Sequence, residues 1–236
     1  DHAGAAGWLA RQGANIYVHP HGLPHMLDPE KLLSSASRLY GNLMDTLWGE
    51  FLPVPANKIF PLYDSNITKI GRRKIMALET PGHADHHLVL IVDGVCFSGD
   101  IGGVRLQGSR YIRLPTPPPE FNLEKWRQSI NRLSESDFDY IAPTHFGFFL
   151  DRDRHLETVR SNLDSLEKWI EVTLPSGPDL DSLNSKYSDW TLVELNKEGD
   201  GPDQAQAYET VGPSWMCVSG IERYWRKYRV EANSDS

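Results

Sequence analysis

Four short strings each end in a residue type able to ligate a metal: Asp1-His2, Thr80-Pro81-Gly82-His83, Phe97-Ser98-Gly99-Asp100 and Pro143-Thr144-His145. Each sits where the local pattern passes between a loop and a strand or helix, and a sheet gathers such ends along one edge. Three imidazoles and two carboxylates are a mixed N/O set suited to Zn, Mn or Fe. A carboxylate can bridge two ions where a neutral imidazole cannot. Two close cations can share one hydroxide, formed near neutral pH because the metals stabilise its charge, and that chemistry serves hydrolysis. Taken singly, each string is equally compatible with a helix cap or a turn.

Positioning these residues requires strands and flanking helices. The small residues after His2 read as a turn feeding a helix that packs closely, and Ile16 to His19 as a short strand. Asp28-Pro29-Glu30 starts a helix with Leu32, Leu33, Ala36, Leu39 and Tyr40 as its apolar stripe. Segments 58–63, 74–79, 87–92 and 95–98 are strand-like and are expected to form one block, with Asp93-Gly94 as a hairpin turn. Residues 101–121 hold three glycines and four prolines beside Arg105, Arg110, Tyr111 and Arg113, which predicts a binding loop. Asn122 caps a helix to about Leu133, 140–143 is a strand, and Leu156, Val159, Leu163, Leu166 and Ile170 mark a long amphipathic helix. The turn-rich Pro175–Pro178 then separates a domain over 1–174 from a small helical appendage over 179–236.

The bulk properties restrict the function classes. A net charge of −8 disfavours a phosphate-backbone partner, so no nucleic acid is expected. The basic and aromatic residues from Arg223 to Arg229 read as a solvated helix face. The most apolar run, Leu88 to Val92, is far shorter than a membrane span, so no membrane is expected. Cys96 and Cys217 lack metal-knuckle spacing and read as reduced structural cysteines, Cys96 in the core rather than as a nucleophile. With no secretory pattern at the N-terminus, the expected location is cytoplasmic.

In order and spacing the four strings resemble the metal motifs of the metallo-β-lactamase superfamily, over residues 1 to about 150. The resemblance implies an α/β (α+β) fold: the superfamily's α/β/β/α sandwich without its N-terminal strands, plus the helical C-terminal appendage. It implies a hydrolase with two divalent ions, Zn foremost and Mn or Fe as alternatives. Asp1, His2 and His145 would serve one ion and His83 the other, with Asp100 bridging and Asp1 also positioning the nucleophile. Asp1-His2-Ala3-Gly4 and Thr80-Pro81-Gly82-His83 are most similar to the hydroxyacylglutathione hydrolase branch. The H-x-H that opens the family's first motif does not precede Asp1, so a sequence truncated at its N-terminus is expected. His19-Pro20-His21 offers the same spacing in an unsuitable place.

The implied reaction is attack by a metal-held hydroxide on an ester, thioester, lactone or similar bond of a small-molecule substrate. Single-iron persulfide oxidation, metal-dependent nuclease activity and an inactive scaffold stay open beside it, as does the oligomeric state. Tyr111, Arg113 and Phe146 are candidate substrate contacts. His86 and His87 read either as ordinary strand residues or as supports for the ligands. Asp100→Ala is expected to remove metal and hydrolysis together, and His155→Ala to do much less.

Overall fold

The computed structural model describes residues 2–47, 49–145 and 147–230. It contains two compact units, Asp1–Asn66 and Ile67–Ser236.

In the first unit run α1 (Ala6–Arg11), β1 (Ile16–Val18), α2 (Leu23–Leu27), α3 (Glu30–Tyr40), α4 (Met44–Leu47) and β2 (Ile59–Pro61). The small residues of α1 have a local reason: a Cβ at Gly7 would run into the Leu52 carbonyl. Segment 58–63 does not join the later strands as expected. Its β2 pairs in parallel with β1, Ile16 opposite Ile59, because Ile59 is buried with Ala10, Met26, Phe51 and Val54.

The second unit is built on a five-stranded sheet of β3 (Ile67–Ile70), β4 (Arg73–Glu79), β5 (Leu88–Val92), β6 (Val95–Gly99) and β7 (Tyr140–Pro143), in that spatial order. The β5–β6 hairpin turns at Asp93-Gly94 with φ of 50° and 77°, the left-handed pair its sequence calls for. Strand β7 lies parallel to β6 because α5 (Leu123–Ser134) intervenes between them. Strand β3 was not anticipated: its isoleucines, Ile67 and Ile70, are 64% and 43% exposed, so the edge carries little apolar signal.

Helices α5, α6 (Arg152–Thr173), α7 (Leu180–Lys197), α8 (Pro202–Val211) and α9 (Ser214–Trp225) complete the unit. Val89, Ile91, Cys96 and Ile141 of the sheet share one core with Trp126 and Ile130 of α5, Val159, Leu163 and Leu166 of α6, Tyr187 of α7, and Val218, Ile221 and Tyr224 of α9. The result is a mixed α/β layer pair, helices on a sheet, with a helical C-terminal part whose residues are continuous with that core. Among the described residues no helix is long and apolar enough to cross a membrane.

Much of the segment read as a binding loop is a buried strap. Ile112, Arg113, Leu114 and Thr116 are all buried, and the carbonyls have fixed partners. Tyr111 O accepts from the Tyr208 hydroxyl at 2.7 Å and Ile112 O from Asn162 Nδ2 at 2.6 Å. Arg113 exchanges backbone bonds with Val104, and the Thr116 hydroxyl donates to Cys217 O at 3.2 Å. Glycine and proline suit the strap's irregular path, while distant side chains satisfy backbone groups that burial removes from water.

Candidate metal centre

Strand β6 ends at Gly99, whose φ of 56° turns the chain into a single 3₁₀ turn, Asp100–Gly102. Side chains from the loop before β5 and from two helices hold this turn. The N–H groups of Asp100 and Ile101 donate to His87 Nε2 at 3.1 and 3.4 Å. Trp126 Nε1–H, from α5, donates to Ile101 O at 2.9 Å. His155 Nε2–H, from α6, donates to Gly102 O at 2.8 Å, and Gly103 N–H closes the turn on Asp100 O. The carboxylate of Asp100 is thus carried on a backbone with little freedom left.

His83 follows β4 through Gly82, where a Cβ would lie 2.5 Å from the Trp126 backbone and φ is 141°. Only glycine permits that approach. His83 Nδ1 lies 2.9 Å from Pro115 O in the strap. A carbonyl only accepts, so Nδ1 carries the hydrogen and Nε2 presents its lone pair. Nε2 lies 3.3 Å from Asp100 Oδ2. His145, just after β7, places its own Nε2 3.3 Å from Asp100 Oδ1. Each oxygen of one buried carboxylate therefore faces a different imidazole. A lone pair opposite a carboxylate oxygen is satisfied by a proton or a cation between them, and a 7%-exposed carboxylate with two such partners has the chemistry of a bridging ligand. The donor set fits divalent metal.

His155 is fully buried, and burial pulls its pKa down to about 4, so the ring is neutral. Its Nδ1 accepts from Arg105 Nη1 at 3.4 Å. Arg105 in turn grips Asp151 through two bonds of 2.8 and 2.9 Å, which hold the Asp151 carboxyl below its usual range. This chain of contacts backs the Asp100 turn from the helix side. Cys96 is a buried free thiol pushed up to about 12 by burial, in keeping with a core role.

Of the other expected site residues, His2 is an exposed residue of the first unit before α1, and Asp1 and Phe146 lie outside the described residues. Tyr111 and Arg113 do not join His83, Asp100 and His145. The Tyr111 ring meets Tyr208 edge-on at 5.1 Å, while Arg113 Nη2 bonds Glu209 at 3.1 Å and Ser214 at 2.9 Å. Both face a cavity of about 390 Å³ lined also by Thr191, Leu195 and Tyr208. Their alternating positions in the strap direct them toward α7 to α9, which composition could not show. His19 and His21 sit edge-on at 5.0 Å in the first unit, with His19 Nδ1 accepting from His21 N–H.

The chain resembles known proteins in sequence and in fold. The curated metallo-beta-lactamase fold-containing protein of Sulfurisphaera tokodaii is 27% identical over 160 residues, which are 61% of this chain and 60% of that protein. The chain thus spans under two thirds of that relative's length. A solved structure of an archaeal metallo-beta-lactamase superfamily protein from Sulfolobus tokodaii superposes with a TM-score of 0.58 at 23% identity, over 70% of this chain and 63% of that one. A metallo-beta-lactamase family protein from Thermus thermophilus gives 0.61 at 19% identity, over 96% of this chain and 71% of that one. The sequence pattern of the metallo-beta-lactamase superfamily matches residues 1–145, more than half of the chain and all four ligand strings. With that match added to the paired imidazoles around Asp100, the chain belongs to the metallo-beta-lactamase superfamily.

Proposed function

We propose that this chain belongs to a metal-dependent hydrolase that acts on an ester, thioester or lactone of a small molecule. The observation that carries the reading is the placement of His83 Nε2 and His145 Nε2 at 3.3 Å from opposite oxygens of Asp100. His83, Asp100 and His145 would hold two divalent ions, Zn foremost, and the family motif adds Asp1 and His2 as ligands. Bound there, such ions polarise the scissile carbonyl and lower the pKa of water. The residues of this chain fix the donors: Pro115 O sets the His83 tautomer, and Trp126 and His155 hold the turn beneath Asp100. The resemblance of the Asp1 and His83 strings to the hydroxyacylglutathione hydrolase branch favours a thioester. The free thiols of Cys96 and Cys217 favour a reducing compartment, and the cytoplasm is the proposed location.

The test is Asp100→Ala in the full-length protein, with metal content by elemental analysis and turnover of a thioester and lactone panel. Both are expected to fall together, turnover by at least about a hundredfold, since ligand and charge stabilisation vanish at once. Unchanged metal content and turnover would refute the assignment, and oxygen uptake with a single iron would replace hydrolysis by oxidation.

A further inference from the structure

We infer that His87 is a positioning residue that sets the metal affinity of the site by holding the backbone under Asp100. The inference rests on the metal-centre reading above and concerns a histidine that ligates nothing in it. His87 Nε2 accepts from two consecutive N–H groups, those of Asp100 and Ile101. An imidazole nitrogen that accepts carries no hydrogen, so in the neutral ring the hydrogen sits on Nδ1. There it meets the hydroxyl of Thr80, fully buried, at 2.8 Å. Thr80 N–H in turn bonds His87 O at 3.0 Å, so the two residues are tied by backbone as well as by side chain.

The arrangement has one tautomer built in. It is also tightly fitted: a Cβ on Gly99 would run into His87 Nε2, so the residue before Asp100 must lack a side chain for the ring to reach the turn. Two N–H groups aimed at one lone pair fix the orientation of the peptide planes on either side of the Asp100 Cα, and hence the direction in which its carboxylate leaves the backbone. His83 lies four residues earlier on the same loop, its ring 6.2 Å from that of His87. One short segment, 80–87, therefore supplies both a ligand and the support of the ligand opposite. Metal sites depend on such supports, whose loss typically lowers affinity about 10- to 100-fold.

The experiment compares His87→Gln, whose side-chain oxygen can replace the Nε2 acceptor, with His87→Met, which fills similar space and accepts poorly. Zinc affinity is measured in the full-length protein by chelator competition. Amide hydrogen exchange at Asp100 and Ile101 is measured on the metal-free form, and thermal unfolding reports folding. His87→Met is expected to lose at least about tenfold in zinc affinity and to speed exchange at those two amides, while His87→Gln stays within a few-fold in both. Thr80→Val, which removes only the Nδ1 partner, should fall between them and keeps the test decisive if His87→Met does not fold. An unmodified protein that binds no zinc would overturn the metal-centre reading itself. An unmodified protein that binds zinc, with His87→Met or Thr80→Val unaffected, or with Gln as damaging as Met, would overturn the role of His87 alone.

Discussion

Acidification from pH 7 to pH 5 should destabilise the fold through His155, well above the range in which the carboxylates with lowered pKa respond. In the unfolded chain the imidazole takes up a proton near its ordinary value of 6.5, whereas the buried ring resists until about 4. Between those values the unfolded state binds more protons, so stability falls as pH falls. The full difference is worth roughly 3 kcal/mol, and about 2 kcal/mol of it is lost between pH 7 and pH 5. Asp151, whose pKa is lowered chiefly by its hydrogen bonds to Arg105, loses its contribution only below its ordinary 3.8. Urea unfolding of the metal-free protein at pH 7, 6 and 5 would be compared with that of His155→Gln, whose amide can still donate to Gly102 O but does not titrate. The unmodified protein should lose about 2 kcal/mol more than the variant over this range. Equal pH dependence in the two proteins would refute the assignment of a neutral, buried His155.

Arg113→Met should cost about 2 kcal/mol of stability, as the half-exposed Glu209 loses a buried partner, yet leave zinc stoichiometry unchanged, because its side chain points to α8 and α9 rather than to the ligands. Elemental analysis beside urea unfolding checks both halves, and loss of metal would return Arg113 to the site. Cys96, with its thiol held up to about 12 by burial, should resist thiol-specific labelling at pH 8 until the protein unfolds, and rapid labelling of the native protein would contradict the packing of β6.

The strings that end in His83 and Asp100 were legible because each is a local event: a strand ends, a glycine turns the chain, and a candidate ligand follows. The supports were not. His155 occupies one position of an otherwise apolar face on α6, and its partner Gly102 is 53 residues away, so only the folded chain reveals what it holds. Trp126 reads from sequence as core, which it is, while its indole N–H also pins Ile101 O. The burial of much of segment 101–121 was not legible, because glycine, proline and arginine are the composition of a surface loop. The Arg105–Asp151 pair and the carbonyl contacts of Tyr208 and Asn162 that permit its burial come from helices far along the chain. His87 stood between: adjacency to the His83 string made it a possible support, but its target, the backbone of Asp100, has no sequence signature.

Several fixed contacts of the strap from Val104 to Thr116 run through carbonyl oxygens, and the last of these, on Pro115, orients His83. Backbone groups are common to nearly all residue types, so these contacts constrain the count of residues rather than their identity. Adding or removing one between Val104 and Pro115 would carry a carbonyl past its partner and bring a different group against the His83 ring. The spacing of this segment is therefore constrained in its own right, beside the burial of its side chains, and a descendant of this chain would have to keep the strap's length to keep His83 in place.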